Sequence, residues 1–191
     1  MFDSFKARFG QPEPESGLGP QALVPAREAL QQFEQEVGTG RFADGWVSVC
    51  SSRELCADCG GWERYLPAGA CLIASTAFGF LLWWADDAVW LIDTQHGQVM
   101  ASDLSLSEAL LRFAEPEFVE AFLHPELWHA WREQSGLPLA TTAVLCPVPM
   151  LALGGSWPPK RWAQMTMPVY LSFTFQLFAD QNRSAIQLHT Q

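Results

Sequence analysis

The sequence predicts an α+β fold: an antiparallel sheet with flanking helices, in a single compact domain with a small N-terminal helical subdomain. Three observations carry that prediction. First, Phe78 to Trp84 and Val89 to Asp93 are rich in aromatic and branched residues, and Ala85-Asp86-Asp87-Ala88 supplies a tight turn between them. A strand, a short turn and a second strand pair antiparallel. Second, apolar residues recur at helical spacing on both sides of that segment, at Phe2, Phe5 and Phe9 and again from Leu106 to Phe113. Third, 49% of the 191 residues are hydrophobic, with nine tryptophans and thirteen phenylalanines, enough for a bulky core in one domain.

The elements follow in order. Phe2 to Phe9 reads as a short amphipathic helix stopped by Gly10. Gln11 to Pro25, rich in Pro, Gly and Glu, reads as a loop. Ala26 to Val37 is a helix with Ala29, Leu30, Phe33 and Val37 on one side, ended by Gly38-Thr39-Gly40. Gly45 to Cys50 is a short strand. Gly61 to Gly69 is a loop carrying Trp62 and Tyr65. Cys71 to Ser75, Phe78 to Trp84 and Val89 to Asp93 are strands, and Gln98 to Ala101 adds another. Ser105 and Glu108 form a capping box for a helix to Phe113. Glu117 to Leu123, behind Pro116, is a second helix, and Pro125 to Ser135 a third, stopped by Gly136. Val144 to Leu153 contains Pro147 and Pro149, so it fits only an edge or bulged strand. Gly154-Gly155 reads as a turn with positive φ. Arg161 to Met165 carries no clear signal. Pro168 to Asp180 is apolar nearly all round and reads as a buried closing helix. Partial alternation from Tyr170 to Phe175 leaves a strand as its alternative.

Charge narrows the function. The net charge is −10. A direct nucleic-acid binder needs a basic face, so that class is disfavoured, as is docking on an anionic membrane. The acids concentrate in the middle of the chain. Between residues 61 and 140 only Arg64, Arg112 and Arg132 oppose them. This pattern gives solubility, and it also suits a surface steered towards a basic partner. The N-terminus lacks a basic segment followed by an apolar run, and the longest apolar run, Ala77 to Ala85, is too short to span a bilayer. A cytoplasmic location is expected.

Catalytic signatures are weak. Cys56-Ala57-Asp58-Cys59 is a Cys-x-x-Cys, but Cys50, Cys71 and Cys146 stand at no common zinc spacing. His124 and His129 are poorly spaced for one helix face, and His124 precedes Pro125, which marks a turn. His96 and His189 complete the histidines. The sequence has no His-Glu-x-x-His, no Gly-x-Ser-x-Gly elbow and no phosphate-binding loop. No metal, no cofactor and no enzymatic activity are expected.

Longer patterns point to a family. Ala77-Phe78-Gly79, the Trp-rich hairpin after it, and Ile92-Asp93 with Gly97 resemble the C-terminal domain of certain bacterial immunity proteins. So do the helix carrying Phe113 and Phe118, the run Pro149 to Gly155, and the apolar last helix. In that family the domain often follows a GAD-like N-terminal segment. Phe5, Phe9-Gly10, Val24-Pro25 and Asp44-Gly45-Trp46-Val47 look like an abbreviated one. The resemblance implies a GAD-like segment over 1–60 and an immunity domain over 61–191. It implies that the chain neutralises a nuclease (DNase) toxin delivered by the type VI secretion system, with that toxin as partner and no catalytic residue of its own. The acidic residues expected to meet the toxin are Asp86 and Asp87 at the hairpin turn, and Glu115, Glu117 and Glu120 near the Pro116 helix start. Two other readings remain: a ligand-sensing or adaptor module with Trp83, Trp84, Trp90 and Trp128 lining a pocket, and a small enzyme using its cysteines or histidines.

Overall fold

The computed structural model describes residues 2–13, 27–50, 59–86 and 88–181. Six strands form one antiparallel sheet whose spatial order is the chain order: β1 Gly40–Phe42, β2 Val47–Val49, β3 Cys71–Thr76, β4 Phe80–Ala85, β5 Ala88–Asp93 and β6 Gln98–Ser102. A separate two-stranded sheet pairs β7 Ala143–Pro147 with β8 Trp162–Thr166. The helices are α1 Asp3–Phe9, α2 Arg27–Glu36, α3 Leu106–Arg112, α4 Pro116–Phe118, α5 Pro125–Ser135 and α6 Met167–Gln181. The α+β class read from the sequence is the one found.

Both faces of the sheet are covered, which explains why β4 reads Phe-Leu-Leu-Trp-Trp-Ala without polar interruption. Successive side chains alternate between the faces. Leu82, with Ile73, Val47 and Val89, packs under α1, α2, α3 and α5 through Phe5, Phe33, Leu110 and Trp128. Leu81, Trp83 and Ala85 face the other way, with Ile92 and Val99, against Trp62, Val144 and the α6 residues Tyr170, Leu171 and Phe178. Helix α3 has the expected capping box between Ser105 and Glu108. Residue 60, the division expected between two segments, falls between β2 and β3, which are adjacent strands of one sheet.

Several elements differ from the sequence reading. Strand β1 was hidden in the Gly38-Thr39-Gly40 stop. It is secured by Arg41, whose buried guanidinium donates to the Leu139 and Asp44 carbonyls at 2.6 and 3.2 Å and pairs with Glu13 at 3.1 Å. The Gly61–Gly69 loop contains a 3₁₀ turn, Trp62–Tyr65, and Trp62 is wholly buried with its indole N–H on Leu171 O and Thr174 Oγ1. The Val144–Leu153 strand stops at Pro147, and Leu151–Leu153 is a 3₁₀ turn closed by Gly154 at φ 82°. Helix α6 is a helix, as preferred, but Val169 and Phe173 are exposed, so it is not buried all round.

The most consequential difference lies at 117–124. After the short α4 the chain widens into a π-helical turn, Val119–Leu123, in which His124 N–H bonds to Val119 O five residues back at 3.1 Å. His124 then adopts left-handed angles, φ 48° and ψ 64°. Pro125 stops a right-handed continuation here, because its ring disfavours the right-handed helical region for the residue before it. Pro125 itself sits at the first position of α5, where its missing N–H costs nothing. The Trp46 indole N–H bonds to Leu123 O at 2.7 Å and ties this corner to the sheet.

Candidate functional site

One cleft gathers the chain's unusual features. It is small, opens to solvent, and is lined by Phe78, Phe80, Asp93, Gln95, His96, Ala121, Phe122, His124 and Trp157. Four separate segments supply these residues, and each is held by identifiable bonds.

The β3–β4 turn forms the floor. Thr76 Oγ1 accepts from Phe78 N–H and Phe80 N–H at 3.3 and 3.2 Å. Gly79 between them has φ 76°, and a Cβ there would lie 2.6 Å from both Thr94 Oγ1 and Tyr170 Cε1. Only glycine fits that position. The β5–β6 turn forms one wall and is bolted to the floor. Thr94 Oγ1 donates to Gly79 O at 2.7 Å and meets Tyr170 Oη at 3.0 Å. The buried Gln95 amide reaches Phe78 O at 2.9 Å and Leu145 O at 3.3 Å. Asp93 shapes the turn. Its Oδ1 accepts from Gln95 N–H and His96 N–H at 2.9 and 3.1 Å, and its Oδ2 lies 2.7 Å from His96 Nδ1.

The opposite wall is the π turn with His124. Phe122 packs on Phe80 with centroids 4.6 Å apart, and His124 meets Trp157 at 4.8 Å and Phe78 at 5.8 Å. Trp157 closes the remaining side and also leans on Trp162. Left-handed backbone at a non-glycine residue and π turns both concentrate at functional positions. Here the two occur side by side, on one wall of the cleft.

The two histidines sit in opposite electrostatic surroundings. The Asp93 carboxylate holds His96 above its ordinary value of 6.5, with burial opposing. Burial holds His124 below 6.5, with Asp93 opposing. His96 Nδ1 is occupied by Asp93, so its Nε2 is the free nitrogen. This carboxylate–imidazole pair also serves the turn locally, since Asp93 and His96 are three residues apart. No serine, threonine or cysteine side chain lines the cleft beside them. Cys146, buried under the sheet, is pushed up to about 11 by burial and stays a thiol. Among the described residues no three His, Cys, Asp or Glu side chains gather to hold a metal. Cys56 and His189 lie outside the described residues.

The five acids expected to meet a partner do not form one patch. Asp86 is exposed at the tip of the β4–β5 hairpin, with φ 50°, and Asp87 lies outside the described residues. Glu115, Glu117 and Glu120 are exposed at the other end of that hairpin, where Phe118 and Phe122 pack on Phe80. Strand β4 runs from Phe80 to Ala85, so roughly 20 Å of strand separates the two groups. Glu115 is paired with Arg112 at 3.3 Å. Glu120 immediately precedes the cleft residues Ala121 and Phe122. Of the tryptophans considered for a pocket, Trp83 and Trp128 are buried core, and none of Trp83, Trp84, Trp90 and Trp128 lines the cleft. Sequence reasoning passed over Asp93, Gln95, His96 and Trp157 as a group. The available signal was Asp93 three residues before His96-Gly97, the pattern of a side-chain-capped turn.

Fold and site together define a protein of an α+β class: a six-stranded antiparallel meander between helical layers, with an aromatic cleft at one end. No family model and no curated protein matches this chain. Among solved structures it is similar to the crystal structure of Atu4351 from Agrobacterium tumefaciens, with a TM-score of 0.58 and 17% identity over 92% of this chain and 89% of that one. At that identity the likeness concerns the fold. Among the described residues no helix is long and apolar enough to cross a membrane.

Proposed function

We propose that this chain is an immunity protein that binds and inhibits a type VI secreted nuclease toxin in a tight, stoichiometric complex in the cytoplasm. One observation carries the reading: the exposed acidic run on α4, the π turn and the start of α5. Glu115, Glu117, Glu120 and Glu126 are all exposed, and no lysine or arginine lies between Arg112 and Arg132. A nuclease presents a basic groove to its nucleic-acid substrate. An acidic surface is steered to such a groove and competes for it. The resemblance of Ala77-Phe78-Gly79, the Trp-rich hairpin and Leu153-Gly154-Gly155 to bacterial immunity domains supports the same reading. The cleft adds to this in one respect. With room for about one water molecule, it falls far short of the roughly 300–1,000 Å³ of a small-molecule pocket.

The test is inhibition. The purified chain should co-elute with the nuclease encoded beside it and abolish DNA cleavage at equimolar ratio. A nuclease that stays fully active in excess of this chain overturns the reading.

A further inference from the structure

We propose that the outer edge of β8 is a pairing surface for a second copy of this chain, which extends the β7–β8 sheet across a two-fold axis. The register shows that this edge is open. Arg161 O accepts from Val148 N–H at 3.0 Å, and Met167 N–H donates to Thr142 O at 2.6 Å. Ladder bonds alternate along an antiparallel strand, so the backbone groups of Ala163 and Met165 also turn to β7. Pro147, which has no N–H, accordingly stands opposite Trp162. The N–H groups of Trp162, Gln164 and Thr166 point the other way, and among the described residues no strand pairs with them. No charge, proline or bulge blunts the run Trp-Ala-Gln-Met-Thr. The other outer strands differ. Strand β1 is bridged by Glu13, and β6 runs into Asp103 and the acidic part of the chain.

Charge identifies the occupant. From Gln134 to Ala179 the chain has no aspartate or glutamate, and Lys160 and Arg161 are its only charged residues. Each copy carries a net charge of −10, so two copies repel least where they meet through this stretch. The large apolar side chains exposed among the described residues, Leu137, Val148, Leu153, Val169 and Phe173, all fall within it. Val148 adjoins the start of β8 through its bond to Arg161, and Val169 lies just past the end of the strand. A two-fold axis at Gln164 sets that residue against Gln164 of the second copy and Trp162 against Thr166. It also brings the Val148 end of one copy to the Val169 end of the other. The two Lys160 side chains then start roughly 26 Å apart along the paired strands, about three Debye lengths at physiological ionic strength. A basic partner finds no acid here, whereas a second copy meets an uncharged strand that matches its own.

The test is the oligomeric state of the full chain. Sedimentation velocity from about 1 µM to about 1 mM should show a monomer–dimer equilibrium with a dissociation constant in the micromolar range. Added salt should tighten the dimer, because it screens the repulsion between two acidic copies. Gln164→Pro removes an N–H that no ladder bond within the chain uses, so the monomer should stay folded while dimer affinity falls at least about tenfold. Gln164→Lys, which places like charges opposite each other at the axis, should weaken the dimer by a similar factor. Gln164→Thr keeps the edge uncharged and should change affinity by about twofold or less.

Hydrogen exchange locates the contact. As protein concentration rises, the Gln164 and Thr166 amides should gain protection, while those of Ala163 and Met165, already bonded to β7, should not change. A chain that stays monomeric at about 1 mM leaves the edge to a strand of another protein and overturns the proposal. So does a dimer that weakens as salt rises, one that folded Gln164→Pro and Gln164→Lys leave intact, or one whose new protection lies elsewhere in the chain. None of these outcomes depends on the inhibitor reading above.

Discussion

The two ends of the β4–β5 hairpin are built in different ways. At the tip, Ala85 pairs with Ala88 and Asp86 is exposed. At the base, Phe80 pairs with Asp93, and everything around them comes from elsewhere in the chain. Gln95 reaches Leu145 across 50 residues, and Thr94 reaches Tyr170 across 76. The tip presents exposed acid on a simple loop. The base combines a left-handed glycine, a π turn, a strained histidine and a carboxylate-bound histidine around one cleft. The acids expected to meet a partner fall at both ends, Asp86 at the tip and Glu115, Glu117 and Glu120 at the base, and the cleft with its paired histidine lies at the base.

Substitution at Gly79 should break this comparison most sharply. Gly79→Ala should cost about 2–5 kcal/mol, because the left-handed backbone penalty and overpacking against Thr94 and Tyr170 act together. Asp86→Gly at the tip should change stability by no more than about 0.5 kcal/mol, as its turn is exposed and φ is already positive. Urea denaturation of both variants makes the measurement. A Gly79→Ala loss below about 1 kcal/mol would show the base to be as forgiving as the tip.

Association kinetics sharpen the contrast at intermediate scale. Reversing Glu117 and Glu120 together should slow association with the proposed toxin on the order of tenfold at low salt. Near physiological ionic strength Asp86→Lys should slow it only about twofold, because roughly 20 Å is then about two Debye lengths. Stopped-flow measurements at two ionic strengths should see both effects shrink as salt rises. Equal slowing from tip and base would place both ends equally in the interface.

The smallest expected effect is in pH. A histidine raised in the folded state adds stability that is present below 6.5 and is lost as pH rises through its folded value, and His96 is of this kind. A histidine lowered in the folded state does the opposite: its stability is present above 6.5 and fades as pH falls, and His124 is of this kind. NMR titration of the ring protons should therefore place the two on opposite sides of 6.5. Asp93→Asn should bring His96 back towards 6.5 and leave His124 low. Two histidines titrating together would mean that the cleft does not separate them.

The legibility of this chain follows the same division. The hairpin, the Ser105 capping box, the Gly10 and Gly136 stops and the α+β class depend on near neighbours, and all were readable as local signals. Strand β1 was missed because three residues at a glycine-rich stop carry no period; Arg41 secures it through partners at Leu139 and Thr141. The π turn was read as ordinary helix because its apolar spacing fits one, although His124-Pro125 already required the break. The cleft was not legible because His96 and His124 are unremarkable until the fold sets Trp157 beside both. The acidic run was visible throughout, but its division into two ends needed the strand direction.

The order of the sheet has a kinetic consequence. Each of the six strands lies beside its neighbour in the chain, so the β3–β4, β4–β5 and β5–β6 hairpins close short loops and can form early. The contacts that complete the cleft, Gln95 with Leu145 and Thr94 with Tyr170, close much longer loops and depend on β7 and α6 docking. The sheet is therefore expected to form before its cleft. In native-state hydrogen exchange, the turn amides of Gln95 and His96 should open at lower free energy than those of β4 and β5. Faster exchange at those turn amides would mean that the cleft opens while the sheet beneath it stays closed.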